Sequence, residues 1–344
     1  MENVQSNKGF DSLLNSDYSY PVPSQYYIDT ATVCNLKCPF CLTGNGRGTI
    51  KKGVMSIKNY RIILNKIVPF AKIIEFCNWG EPFLNQNIID IVSLTSEKGI
   101  FTSIHSNLTA RVFDEHECKK IIQSGLDRLS CSIDGTNQET YSIYRRGGDF
   151  DTAIKNLKQL QITKIKLKSK TPDILWQFLI HKYNEHEVDK AIQMAISLGV
   201  RITYNIMGVK DDEWRSAYHE NENKFKLLKM PFIEKIRYLI HEIQLQMRGK
   251  TWQQRPCKIK LPGTLPFWCT QPFHIMTINW NGDVFPCCAL HDNKAVMGNL
   301  LETEINELWN NNEFKKCRDY LFASRKKSNT NSVCELCSNG ELIL

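Results

Sequence analysis

From about Tyr26 to Gly208 the sequence repeats one unit: a short β-branched or aromatic run, then, after each of the first five, an amphipathic helical run. The six strand-like runs are "YYIDTAT", "KIIEFCN", "FTSIHSN", "DRLSCSID", "ILWQFLIHKYN" and "RITYNIMG". The helical runs between them are "SIKNYRIILNKIV", "NIIDIVSLTSEKG", "DEHECKKIIQSG", "FDTAIKNLKQLQ" and "EHEVDKAIQMAISLG". Glycine stops several of them, and Asn184 and Glu187 stand where an N-cap and its capping-box partner belong. Strands that alternate with helices on short connections pair in parallel, since each helix returns the chain to the same end of the sheet. The expectation is an α/β fold with a six-unit parallel sheet, open or curled into a partial barrel. In such sheets the loops after the strands' carboxyl ends carry the chemistry.

Around this unit the texture changes. Residues 1–25 form a polar N-terminal extension. Residues 209–261 read as a basic, amphipathic helical connector. Residues 262–344 read as a small cysteine-rich domain. In it "WCTQPFHIMTINWNGDVFPCC" makes a hairpin turned at Asn281-Gly282, and "EINELWNNNEFKKCRDYLF" makes a helix. No apolar run reaches the roughly 18 residues of a membrane span. The first 25 residues lack the charged start and apolar core of a signal peptide, so the chain is read as cytoplasmic. Net charge is +8, with 44 Lys and Arg against 36 Asp and Glu. The basic residues are dispersed as on solvated faces, which argues for an anionic substrate at least as well as for nucleic acid. Thirteen cysteines are many for such a chain. In a reducing compartment clustered cysteines signal metal or catalysis more than disulfides.

Three of them, Cys34, Cys38 and Cys41, fall within "CNLKCPFC" after the first strand. Three thiolates hold three irons of a [4Fe–4S] cube and leave the fourth open to a substrate or cofactor. The other readings at this point are a zinc site completed by a remote ligand, or buried thiols that cluster by chance.

The Cys34-x3-Cys38-x2-Cys41 spacing, with Phe40 before the last cysteine, resembles the motif of the radical SAM superfamily. Gly80-Glu81-Pro82 after the second strand is similar to the segment whose backbone contacts the cofactor's methionine amino group. Ser106 and Asn107 after the third strand, and Ser132 and Asp134 after the fourth, stand where that family places further cofactor contacts. Arg145 or Arg146 resembles the arginine that often follows. The resemblance covers residues 26–208 and implies a partial (β/α)6 barrel. It also implies a site-differentiated [4Fe–4S] cluster binding S-adenosylmethionine, and a flavodoxin- or ferredoxin-type reductant. The implied chemistry is reductive cleavage of the sulfonium to a 5′-deoxyadenosyl radical, which abstracts a substrate hydrogen atom.

A second set, Cys269, Cys287, Cys334 and Cys337, with Gly282 five residues before Cys287, resembles the opening of a SPASM domain. Its shortened form, the twitch, implies one further [4Fe–4S] cluster, closed by four thiolates. A four-cysteine structural zinc site is the other reading of the spacing alone. A closed cluster suits electron transfer, so the expected reaction is dehydrogenation of a small sugar-, cyclitol- or nucleotide-type metabolite. The alternatives are a radical SAM epimerase or peptide maturase, whose cysteine returns a hydrogen atom, and, more distantly, a non-catalytic zinc protein. Cys257 and Cys288 flank the second set and are the candidate hydrogen donors. His105 and His181 lie at or near strand ends as candidate acid–base groups. Cys77, Cys118, Cys131 and Cys317 are expected to fill the core. The short segment before the first strand leaves no room for a peptide-recognition domain, which favours the small molecule.

Overall fold

The computed structural model describes residues 19–208, 211–218, 269–322 and 332–338. The six expected strands form: β1 (Gln25–Ile28), β2 (Ile73–Phe76), β3 (Phe101–Ser106), β4 (Arg128–Ser132), β5 (Asp173–Ile180) and β6 (Arg201–Ile206). Helices α1 (Ile57–Ile67), α2 (Ile88–Ser96), α3 (Glu115–Gln123), α4 (Gln138–Tyr144), α5 (Phe150–Lys166) and α6 (Val188–Leu198) lie between them. The C-terminal part adds α7 (Gln271–His274), β7 (Ile275–Ile278), β8 (Asp283–Phe285), β9 (Gly298–Asn299), α8 (Ile305–Trp309), α9 (Asn312–Phe322) and α10 (Val333–Ser338).

All nine strands share one sheet, ordered β6-β5-β4-β3-β2-β1-β7-β8-β9. The first seven in that order pair in parallel; β8 and β9 are antiparallel additions. Sequence alone set the cysteine-rich segment apart as its own domain. In the structure β7 pairs with β1 in register from Gln25–Ile275 to Ile28–Ile278, so the segment continues the barrel wall. The expected hairpin turn is present, with Gly282 at φ +87°, a left-handed conformation that a side chain would strain.

The two faces of the sheet differ in kind. Tyr26, Ile74, Ile104, Leu129, Trp176 and Ile202 point outward and are buried under the helices in one core. The alternate positions mix polar and apolar groups: Tyr27 is level with Glu75, Glu75 with Ser103, Ser132 with Gln177, and Gln177 with Thr203, while Ile73, Phe101, Leu175 and Leu179 share the same face. On β5 this inner row is half-buried while the outer row is buried. A strand buried on both faces reads as a continuous apolar run, and each of these runs is interrupted on its inner face by a polar residue such as Glu75 or Gln177. The barrel therefore encloses a polar lumen. Its amino-terminal end is closed by Asp173, which pairs with Arg128 (3.6 Å) and Arg201.

Side-chain caps start the helices. Ser56, Asp114, Asn137 and Asp149 each accept the backbone N–H three residues on. The expected capping box at α6 does not form. Asn184 accepts from the His181 N–H (2.7 Å) and donates to Asp134 and Leu179 carbonyls, while Glu187 accepts from Thr136 N–H (2.8 Å) and Asn137. Both side chains serve the loop after β4, and α6 starts behind a short 3₁₀ turn, Glu185–Glu187. The single helix expected after residue 304 is broken at Asn310-Asn311. There Asn311 caps α9 at Phe314 N–H (3.0 Å), and Asn310 binds the Tyr20 backbone. Most of the expected connector over 209–261 lies outside the described residues; 211–218 forms turns that bring in Trp214.

Trp176 is fully buried on the outer face and donates its indole N–H to Ile133 O at 2.7 Å. Trp176→Ala is expected to cost about 3–5 kcal/mol, read as a lowered urea midpoint of unfolding.

Candidate functional site

The loop after β1 is fixed from both sides. Asp29, at the end of β1, accepts the N–H groups of Asn78 (3.0 Å) and Trp79 (2.9 Å). Glu81 N–H reaches Val33 O, and Lys37 N–H reaches Arg146 O. Between these anchors the chain turns tightly, Cys41 N–H bonding Cys38 O at 3.2 Å. Cys38 is buried, and Cys34 and Cys41 are half-buried. Leu36 N–H (3.4 Å) and Asn107 Nδ2 (3.7 Å) both donate to Cys34 Sγ. Burial pushes the Cys34 thiol up to about 12 and Cys38 up to about 11, the latter opposed by the nearby Arg145 cation. Three sulfurs on one loop, one buried and two half-buried, with N–H donors aimed at Cys34 fit an iron–sulfur group, whose potential depends on such bonds. Among the described residues no three Cys, His, Asp or Glu side chains converge as a cage for a single metal ion.

The neighbouring motifs build this loop's support. Gly80 packs on the preceding strand's loop so closely that a Cβ would stand 1.8 Å from Ala31 O. Glu81 is buried and accepts from Phe83 N–H (3.0 Å), Ser106 Oγ (2.8 Å) and Asn107 N–H (2.8 Å). Burial raises its pKa, and these bonds oppose the rise. Pro82 is buried in the 3₁₀ turn that follows. Ser106 and Asn107 thus spend their side chains on the loop: Asn107 Nδ2 also donates to Asn35 (3.0 Å), and its Oδ1 accepts from Thr109. Ser132 remains half-buried on the inner face of β4. Asp134, fully buried, holds Arg145 Nε at 2.5 Å, and Arg145 in turn faces Cys38. Of the two arginines it is Arg145 that enters the site; Arg146 is exposed. Phe40 lies edge-on to Trp214, ring centroids 5.2 Å apart.

Inside the lumen, His105 Nε2 stands 3.5 Å from Glu75 Oε2. Tyr27 lies beside Glu75, Cys288 and Cys77, and burial with these neighbours raises its pKa. Cys77 lies within electrostatic reach of Asp29, Glu81, Glu75 and Cys41, so this thiol belongs to the lumen wall and corrects its assignment to the core. Cys118 and Cys131 do fill the core. His181 is buried among Tyr144, Tyr183 and Trp214, and both ring nitrogens lack hydrogen-bond partners. Burial, then Arg145, pushes its pKa down to about 4. Cys257 lies outside the described residues.

The second cysteine set abuts the same loop. Trp79 Nε1 donates to Cys288 O (3.0 Å), Thr43 Oγ1 meets His291 Nε2 (3.0 Å), and Thr49 Oγ1 donates to Asp292 (3.1 Å). Cys287 is buried and receives the N–H groups of Ala289 and Leu290. Cys334 and Cys337 are half-buried on α10, and Cys334 is within electrostatic reach of Cys287 and Cys269. Cys287, with its two N–H donors, and Cys334, near both Cys287 and Cys269, fit an iron–sulfur group. Cys317, on α9, is buried beside Cys334. Cys317 fills the core as expected, while sequence reasoning missed the lumen wall and the contact of Cys317 with Cys334. The alternation of polar residues along six strands carried a signal for the wall; no spacing marks Cys317.

Two family models match the chain: the radical SAM superfamily over residues 28–171 and the SPASM iron–sulfur cluster-binding domain over residues 269–338. The AdoMet-dependent heme synthase of Methanosarcina barkeri is 23% identical over 307 residues, 83% of this chain and 82% of its own length. The S-adenosyl-L-methionine-dependent 2-deoxy-scyllo-inosamine dehydrogenase of Niallia circulans is 26% identical over 164 residues, covering 47% of this chain and 60% of that protein. The crystal structure of Streptococcus suis SuiB bound to S-adenosylmethionine superposes with a TM-score of 0.60 at 16% identity, over 95% of this chain and 76% of that one.

Glu81→Gln is expected to turn an amide N–H₂ toward the donors of Ser106 or Asn107. The loss is about 1–3 kcal/mol of stability, with weaker binding of S-adenosylmethionine in equilibrium titration. Asp29 gives a pH signature. Burial pushes its carboxyl up to about 7, so it is protonated in the folded chain between roughly pH 4 and 7 but ionised in the unfolded one. Its contribution to stability falls as pH rises through that window and is flat above it. Asp29→Asn is expected to remove the fall. The variant should gain on the order of a few kcal/mol over the parent at pH 8, and little at pH 4, by urea denaturation.

Proposed function

The chain belongs to the radical SAM superfamily and carries an iron–sulfur cluster-binding SPASM domain, and from that premise we propose that it dehydrogenates a small hydroxyl-bearing metabolite bound in the barrel lumen. The observation that carries this reading is the lumen wall itself. Tyr27, Glu75 and His105 sit together, flanked by Cys77 toward the Cys34–Cys41 loop and by Cys288 toward the auxiliary set. When bound, S-adenosylmethionine on the three-cysteine cluster supplies a 5′-deoxyadenosyl radical, and the four-cysteine cluster supplies an acceptor for one electron. Cys34, Cys38 and Cys41 would hold the first cluster, and Cys269, Cys287, Cys334 and Cys337 the second. Ser132, Arg145 and the backbone around Gly80 face the cofactor, while the Glu81 carboxylate fixes the loops that present them.

The substrate carbinol loses a hydrogen atom from carbon, then a proton from oxygen and one electron, and becomes a carbonyl. His105 receives the proton. Glu75 behind its ring stabilises the cationic form that results. The polar wall orients a hydroxylated molecule by hydrogen bonds; an apolar substrate would leave those groups unpaired. A flavodoxin- or ferredoxin-type protein is the reductant assigned to start the reaction. The dehydrogenase similarity supports the oxidation, and the heme synthase similarity, over 83% of this chain and 82% of that protein, supports a metabolite.

One observation favours a second reading: Cys77 presents a thiol to the same lumen. A thiol there returns a hydrogen atom to the substrate carbon from another side, the thiyl left on Cys77 takes one electron by way of the four-cysteine cluster and a proton from solvent, and the net change is inversion without oxidation. Candidate polyols and aminocyclitols, deuterated at the carbinol carbon, decide the matter with the anaerobically reconstituted enzyme. Deuterium should enter 5′-deoxyadenosine, and the product should be two mass units lighter than unlabelled substrate when label is absent. His105→Ala is expected to slow product formation by about 10²-fold or more while substrate-independent cleavage of S-adenosylmethionine persists. Product of unchanged mass that gains deuterium from D₂O, and loses it in Cys77→Ala, would establish the second reading instead. A colourless protein that takes up zinc and no iron would overturn both.

A further inference from the structure

We propose that Trp79 is a positioning residue that joins the two cysteine sites, so that S-adenosylmethionine binds the open site more tightly when the auxiliary site is filled. Trp79 lies in the loop after β2 and is buried. Its three polar groups are held by three different segments. The backbone N–H donates to Asp29 Oδ1 at 2.9 Å. The backbone carbonyl accepts from Thr43 Oγ1, just past Cys41 in the chain. The indole N–H donates to the carbonyl of Cys288, the residue after Cys287, at 3.0 Å. The ring lies edge-on to Phe285 (centroids 5.0 Å apart) and His291 (4.9 Å), which flank that cysteine pair. Thr43 closes the circuit, since the same hydroxyl meets His291 Nε2 at 3.0 Å. His291 is confined from behind as well: a Cβ on Gly48 would stand 1.9 Å from its ring.

Toward the open site, Trp79 is followed by Gly80, wedged against Ala31 O, and by Glu81. The Glu81 carboxylate holds Asn107 N–H at 2.8 Å, and Asn107 Nδ2 reaches Cys34 Sγ at 3.7 Å. Trp79 is therefore linked to Cys34 on one side and, through Thr43, to the chain past Cys41 on the other. Toward the auxiliary site it is linked to the turn that carries Cys287. Cys269 and Cys287, with Cys334 and Cys337 from α10, would clamp that turn once their cluster is bound. Without the clamp the turn gains freedom, and a hydrogen bond tolerates little change of distance or angle. A second tie between the two regions, Thr49 Oγ1 to Asp292 (3.1 Å), leaves the loop after β2 untouched. Trp79 is thus the residue through which order at one site is felt at the other. Such coupling is reciprocal, so a cofactor in the open site also steadies the auxiliary turn. The inference rests on the cluster and cofactor assignments proposed above and not on the identity of the substrate.

The test uses the full chain, reconstituted anaerobically, as wild type, Trp79→Phe and Thr43→Val. Each is prepared with the auxiliary cysteines intact and with Cys334→Ala and Cys337→Ala together, which remove that cluster. Iron is counted, and binding of labelled S-adenosylmethionine is measured by equilibrium dialysis without reductant, so that no cleavage occurs. Loss of the auxiliary cluster should weaken binding to wild type about five-fold, the worth of one neutral hydrogen bond. Trp79→Phe keeps an aromatic ring between Phe285 and His291 and removes the indole N–H. It should bind about five-fold more weakly with both clusters present, and by no more than about two-fold further when the auxiliary cluster is lost. Thr43→Val cuts the other tie and should also show a reduced dependence; it carries the test if the urea midpoint shows Trp79→Phe to be unfolded. A tryptophan that served stability alone would give additive losses. Equal weakening in all three proteins on loss of the auxiliary cluster, or none in wild type, would overturn the proposal. Wild type holding only about four irons, or about eight irons and no bound cofactor, would overturn it through the preceding assignments and is visible as such.

Discussion

One buried carboxylate organises the catalytic end of this protein. Glu81 joins the loop after β2 to the loop after β3 through Ser106 and Asn107, and Asn107 passes the constraint to Cys34. Each contact is a hydrogen bond to a charged or chargeable group in a place without water. There the bonds are strong and their loss is costly. Gly80, lying against Ala31 O, lets the same turn approach the first strand. The cysteine loop has little regular structure of its own. Its shape comes from these neighbours and from Asp29, which binds the other side of the turn through Asn78 and Trp79.

The strands separate two jobs by their alternation. Outward residues make the core and give the sheet its stability. Inward positions include the polar side chains of Tyr27, Glu75, Ser103, Ser132, Gln177 and Thr203, which line the lumen. Charged and titratable groups that would be intolerable in the core are placed here in pairs: Glu75 with His105, and Asp173 with Arg128 and Arg201. Asp29 is the exception, with one carboxylate oxygen left without a partner in a fully buried position. Its elevated pKa is the physical consequence, since burial disfavours the charged form.

The C-terminal segment is mechanically part of the barrel. Through β7 it extends the parallel sheet beside β1, the strand that leads into the cysteine motif. The contacts of Trp79 with Cys288, Thr43 with His291 and Thr49 with Asp292 then lock the two cysteine-bearing regions together. The shared sheet thereby fixes the separation between the lumen and the second cysteine set.

Periodicity alone determined the six β–α units, and the spacing of Cys34, Cys38 and Cys41 pointed to an open cluster, because both signals are local. A strand's alternation and a loop's ligand spacing are written within a few residues. The caps at Ser56, Asp114, Asn137 and Asp149 are local too and follow from residue type. Where long-range partners competed, local signals failed: Asn184 and Glu187 look like a capping box but bind Asp134, Thr136 and Asn137 instead. The merging of the C-terminal segment into the sheet, the move of Cys77 from core to lumen and the placing of Cys317 beside Cys334 join residues far apart in the chain. Only the tertiary structure decided these, because the direction a side chain faces depends on which strand or helix lies opposite, and no local pattern encodes that choice.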